Sequence, residues 1–232
     1  MTHAFAPTRL SIALSALSLL ALAGCATGVP NVAIDEGVLA QIHTVRINPV
    51  VTMPAAIEFF GQSQGIAALA AGPFAALMED KLSAGPKAQL THEIQDNHID
   101  VQSLLTASFA RHATTDAAMQ VVAGGATADA QVDLSVNRYG FATAHPGAAT
   151  LYPVMSVSAV MKNAKGDVVW QGTDVMLPHN PDNKMGRPLD DLLKDPETLR
   201  LALASGSDLV SAMLMRNLQG LEKAQNVPGI QR

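Results

Sequence analysis

Apolar and polar positions alternate most regularly in the middle of the chain. Val132, Leu134 and Val136 interleave with Gln131, Asp133 and Ser135, the period of a strand with one buried face. The phase slips before the next large residues, Tyr139 and Phe141, which predicts a bulge near Asn137–Gly140. Over 151–162, Met155, Val157, Ala159 and Met161 alternate with Ser156 and Ser158, and 167–177 form a matching run. Between them, Asn163-Ala164-Lys165-Gly166 predicts a hairpin loop with Gly166 in a left-handed conformation. Upstream, Ile42, Val45, Ile47, Val50 and Val51 suggest a first strand ended near Pro49, and 118–123 a short strand before Gly124-Gly125.

The helical period governs the rest. Asp100 is a candidate N-cap for a helix with Val101, Leu104, Leu105 and Phe109 on one face and Arg111 and His112 at its end. Pro86 suits the first turn of a helix over 86–96, so 88–112 reads as one helix interrupted near Asn97 or as two. Residues 178–188 read as a polar loop. Asp195 and Pro196 then open a last helix whose stripe is Leu199, Leu203, Val210, Leu214, Leu218 and Leu221, with Gly220 as C-cap. This order predicts an α+β fold: a mixed β-sheet of about five strands with helices packed on one face, and a long C-terminal helix.

One segment fits no simple period. From Phe59 to Met78 no residue is charged, and Gly72-Pro73 should break any helix there. It reads either as a buried Ala/Gly-rich helical hairpin or as a segment touching a membrane or another subunit. In the second case Phe59, Phe60, Phe74 and Leu77 are the contact residues. Its Gly, Gln and Ser content is too polar for a typical membrane span.

The start of the chain is an address. After Arg9, residues 10–23 form an apolar run shorter than the ~20 residues that cross a bilayer, as in a secretory signal peptide. The run closes on Leu22-Ala23-Gly24-Cys25, which resembles a bacterial lipobox. That resemblance implies cleavage between Gly24 and Cys25, a diacylglycerol on the Cys25 thiol, and an N-acyl chain on its new amino terminus. Ala26, where Asp would retain the protein in the inner membrane, implies the periplasmic face of a Gram-negative outer membrane. Cys25 is the only cysteine, so no intramolecular disulfide forms. The expected organisation is a signal peptide at 1–24, a lipidated tether at 25–38, one domain at 39–223 with an apolar insert at about 59–84, and a tail at 224–232.

Composition narrows function mainly by exclusion. A chain of 232 residues that is 48% hydrophobic and 15% charged is not disordered, and 15 Lys+Arg against 20 Asp+Glu argues against nucleic-acid binding. No His-x-x-x-His pair occurs. The densest cluster, His92-Glu93 with His98, Asp96 and Asp100, reads as solvated helix ends. His112 and Asp116 meet across one turn as a helix-end pair. Ser205-Gly206-Ser207-Asp208 lies mid-helix without a Gly-x-Ser-x-Gly elbow, and Gly206 there reads as a close-packing residue. The methionines and Trp170 read as core. No cofactor is expected beyond the lipid on Cys25.

Over about residues 40–220 the element order, with the Asn-Ala-Lys-Gly-Asp-Val-Val-Trp hairpin, resembles a group of bacterial envelope lipoproteins. The group includes transport-auxiliary lipoproteins, LpoB-like activators of penicillin-binding proteins and the curli secretion lipoprotein, with domains like the TolB amino-terminal domain. The resemblance implies a non-enzymatic accessory or assembly component of an envelope complex, with the membrane and envelope proteins as partners. Two alternatives stand beside it: an oligomeric secretion or pore-type lipoprotein using 59–78, and a lipid-binding auxiliary of an ABC-type transporter.

Overall fold

The hairpin at the centre of the chain organises the molecule. Asn163 Oδ1 accepts from the N–H groups of Lys165 and Asp167 at 2.9 and 3.0 Å, and Gly166 takes φ +88°, so the loop closes with its own side chain. The structure is a computed structural model that describes residues 31–60, 73–145 and 147–221, with the backbone alone at 60 and 73–84. In chain order its elements are α1 Glu36–Leu39, β1 Thr44–Ile47, β2 Glu58–Phe60, α2 Pro73–Asp96, α3 Val101–Thr115, β3 Gln120–Val121, β4 Ala130–Thr143, β5 Thr150–Asn163, β6 Val168–Met176, β7 Arg187–Pro188, α4 Leu189–Lys194 and α5 Pro196–Leu218.

The strands form one mixed sheet in the order β3-β1-β4-β5-β6, with β2 also on β4 and β7 also on β5. β1 runs parallel to β3 and β4, while β4, β5 and β6 are successively antiparallel. The expected bulge falls between Val136 and Arg138; beyond it Tyr139 faces Met155 and Phe141 faces Pro153, so the phase of the strand recovers. Just past the bulge, Gly140 lies at φ +152°, and a Cβ there would stand 1.8 Å from the Glu58 carbonyl oxygen. Only glycine lets β2 lie this close to β4.

The core lies on one face of the sheet. Val132, Leu134, Val136 and Phe141 of β4, Met155, Val157, Ala159 and Met161 of β5, and Trp170 and Met176 of β6 are all buried there. Against them pack Leu199, Leu203, Val210, Leu214 and Leu218 of α5, with Leu105 and Phe109 of α3 in the same cluster. Gly206 fits the sheet closely: a Cβ would come 3.1 Å from Met176 Cε and 3.5 Å from Pro153 Cβ. Met155, Met161, Met176, Met213, Met215 and Trp170 are buried core residues, as their pattern suggested.

Helix ends follow the sequence in most places. Asp100 accepts from Ser103 N–H at 3.1 Å, and Asp195 accepts from Glu197 N–H at 3.1 Å with Pro196 at the first helical position. Gly220, at φ +66°, ends α5: Leu221 N–H donates to Arg216 carbonyl and Gly220 N–H to Asn217 carbonyl, a Schellman closure.

Three expectations are corrected, and the choice left open over 88–112 falls to two helices. The helix foreseen from Pro86 begins at Pro73, and Pro86 lies inside α2. Residues 88–112 are two helices, parted where His98 takes φ +50°. The stripe on α5 stops at Leu218, because Leu221 follows the glycine turn and is 69% exposed. Behind the polar loop lies an unforeseen helix, α4, whose one buried residue is Leu192; a single turn and a half is too short to show a helical period.

Candidate functional site

Three places gather chemistry. The first is the outer edge of β6. Val32 N–H donates to Gln171 carbonyl at 2.7 Å, and Gln171 N–H returns a bond to Val32 at 3.0 Å. Thr173 N–H donates to Asn31 Oδ1 at 3.0 Å. The stretch expected as a plain tether is therefore tied to the sheet from Asn31, and Asp35 then caps α1. Gly24 and Cys25 lie outside the described residues.

The second place is the sheet face turned away from the core. Side chains from β1, β4, β5 and β6, and Asn48 just past β1, hydrogen-bond across it. Arg46 donates to Gln131 Oε1 at 2.7 Å, while Asp133 accepts from Lys162 at 2.8 Å, from Asn48 at 3.1 Å and from Gln131 at 3.3 Å. Farther along, Asn137 donates to Ser158 at 2.9 Å, and Ser158 shares a bond with Thr173 at 2.8 Å. Burial pushes the Asp133 carboxyl up, but these three donors outweigh it and hold it below the ordinary carboxylate range. A cleft of about 200 Å³ opens at the hairpin end, lined by Arg46, Gln131 and Lys162. Both cations there already have partners on the face itself.

The third place is the seam between α3 and α5. His112 lies with Nδ1 2.6 Å from Asp116 Oδ2 and Nε2 2.6 Å from Asp208 Oδ1. Arg111 also pairs with Asp208, and Gln219 donates to the Asp116 carbonyl at 2.6 Å. The Thr115 hydroxyl and then the His112 ring hold the Asp116 carboxyl below its usual range. Each ring nitrogen faces a carboxylate oxygen, so both are engaged and the imidazole clamps two helices. Ser207 is equally committed: it is fully buried and donates to Leu203 carbonyl at 3.0 Å.

Sequence reasoning found the His112–Asp116 pair but not its partner across the seam. One signal was present: Asp208 is the only charged residue between Arg200 and Arg216 on a buried helix. His92 and Asp96 make an exposed pair at 3.0 Å, as solvated helix residues do. Among the described residues no three His, Cys, Asp or Glu side chains group so as to hold a metal. Phe59 faces Phe141 in the ladder and packs, half-buried, on the core. Phe60 ends β2, and Phe74 and Leu77 fall in α2; their side chains lie outside what is described. Among the described residues no helix is long and apolar enough to cross a membrane.

No protein-family model and no curated protein matches the chain. Among solved structures it is similar to a DUF330 protein from Xanthomonas campestris, at 17% identity and TM-score 0.35, covering 52% of this chain and 63% of that one. The chain thus spans under two thirds of that protein. It is also similar to a PelC dodecamer from Paraburkholderia phytofirmans, at 14% identity and TM-score 0.34, covering 82% of this chain and 95% of that one. A third neighbour is lipoprotein GNA1162 from Neisseria meningitidis, at 14% identity and TM-score 0.24, covering 66% of this chain and 93% of that one. Lipoproteins stand among the neighbours of this α+β domain, and at such low TM-scores its function has to be argued from its own residues.

Proposed function

We propose that the chain is an outer-membrane lipoprotein, acylated on Cys25 at the periplasmic face, that serves an envelope complex as a non-enzymatic accessory or assembly component. The observation that carries this reading is Leu22-Ala23-Gly24-Cys25 at the end of an apolar run, six residues before the first residue of the fold. The thiol takes the diacylglycerol as a thioether, and two or more acyl chains anchor where one would be marginal. The geometry of the titratable groups supports a role in contacts over catalysis: His112, Asp208 and Asp116 tie helix to helix, and Ser207 bonds back along its own helix.

The test is radiolabelled palmitate with mass spectrometry of the mature amino terminus, followed by membrane fractionation. The expected result is an acylated Cys25 terminus in the outer-membrane fraction, with label and membrane association both lost in Cys25→Ser. Recovery of unlabelled wild type in the soluble fraction overturns the anchor. In-cell crosslinking addresses the role: capture of envelope proteins supports it, and turnover of an envelope substrate by the purified chain refutes it.

A further inference from the structure

We propose that the outer edge of β6 is the surface with which the anchored domain rests on the bilayer. The inference depends on acylation at Cys25 and adds to it an orientation. Among the described residues Val32 is the first with a backbone tie to the sheet, seven residues after Cys25. A chain spans at most about 3.3–3.6 Å per residue, so β6 is held within about 25 Å of the lipidated residue. A domain of about 190 residues has a radius of gyration near 16 Å, hence a diameter of about 40 Å. The leash is shorter than the body it holds. The domain cannot turn an arbitrary face to the lipid: the leash falls about 15 Å short of the diameter, so the β6 side never reaches the pole farthest from the membrane.

That side is also where apolar surface is exposed. Of the seven exposed large hydrophobic residues described, four lie along this edge: Val32 at 40%, Val168 at 46%, Val175 at 40% and Leu177 at 50%. Val175 pairs with Ser156, and Val32 faces Gln171, which pairs with Val160; both valines therefore project on the face away from the core. The edge is blunted against strand addition by a partner chain. Gln171 is taken by Val32, Thr173 N–H by Asn31 Oδ1, and Leu177 N–H by Asn180 Oδ1 at 2.6 Å. What remains is a row of aliphatic side chains along an edge whose ladder is interrupted at Gln171, Thr173 and Leu177, a surface suited to the headgroup and upper acyl region of phospholipid.

The test uses the full acylated chain with single cysteines, Val175→Cys or Leu177→Cys, carrying an environment-sensitive fluorophore. Leu201→Cys, an exposed position on α5, is the control. Each is reconstituted in vesicles of phosphatidylethanolamine and phosphatidylglycerol, with and without doxyl-labelled lipid. The expected result is several-fold stronger lipid quenching at 175 and 177 than at 201, falling to the control level when a long Gly/Ser stretch is inserted after Cys25 while the protein still floats with the vesicles. Equal quenching at all three positions overturns the inference. So does shielding of 175 that rises with protein concentration in detergent, which assigns the edge to a second copy. A chain without acyl groups by mass spectrometry overturns the anchoring itself; a floating, acylated chain with water-exposed labels overturns only the orientation.

Discussion

The contact between β6 and α5 makes a sharp prediction at Gly172. A Cβ at this position would lie 2.6 Å from Trp170 Cζ2 and 3.1 Å from Asn217 Oδ1. Carbon atoms pack at about 3.5–4.0 Å, so Gly172→Ala drives a methyl about 1 Å into the indole. Trp170 is fully buried, and the ring cannot swing out to relieve the overlap. Overpacking of this kind costs about 1–3 kcal/mol. In a domain near 190 residues each kcal/mol lowers Tm by about 2–4 °C, so a drop of about 2–12 °C is expected. The assay is thermal unfolding of the mature chain carrying Cys25→Ser, followed by far-ultraviolet circular dichroism and by tryptophan emission. Trp170 is the only tryptophan, so its emission reports on this contact alone. An unchanged Tm with unshifted emission would refute the argument that the indole and α5 together require glycine there.

Other expectations follow from burial, backbone geometry and charge. Leu214 is fully buried on α5, and Leu214→Ala should cost about 2–5 kcal/mol in urea unfolding at constant m-value; under 1 kcal/mol would mean the site collapses freely. Gly140→Ala must push β2 off β4, which hydrogen exchange should register as lost protection at residues 58–60 with the β4–β5 ladder intact. Asp133 is held below its ordinary value, so its contribution to stability is present above the unfolded value near pH 3.9 and is lost as pH falls through the lower folded value. Asp133→Asn should therefore flatten the fall in unfolding midpoint below about pH 4 and change little at neutral pH beyond a constant offset. An acid branch as steep as wild type's would show that the Lys162–Asp133 pair carries no pH-linked stability.

Periodicity made most of the architecture legible, and what escaped it did so for physical reasons. β4 and β6 bury one face each, and the central β5, buried on both faces at its middle, still alternates Met155, Val157 and Ala159 with serines, so the strands and the bulge in β4 were legible. Caps at Asp100 and Asp195 and the turn at Gly220 were readable because they are local. Pro86 misled because a proline inside a helix costs about 3 kcal/mol, a local penalty that α2 nonetheless carries. The His112–Asp208 clamp joins residues 96 apart on two helices, and no pattern within either helix gives their relative register. The hold of Asn31 and Val32 on β6 was hidden in the same way, since a small polar stretch looks alike in a tether and on a strand edge.

The connectivity of the sheet also sets the order in which it forms. β4, β5 and β6 are joined by short turns and pair as soon as residue 176 has been made, with little loop entropy to overcome. β1 is different. Its partners at Ala130, Gln131 and Val132 lie 85 residues downstream, and the short β3 that flanks it is almost as distant. A chain emerging amino terminus first therefore presents β1 long before anything exists to receive it, and such non-local pairing is slow once it is possible. The domain closes from its middle outward, and β1 stays open to proteases until β3 and β4 have been made.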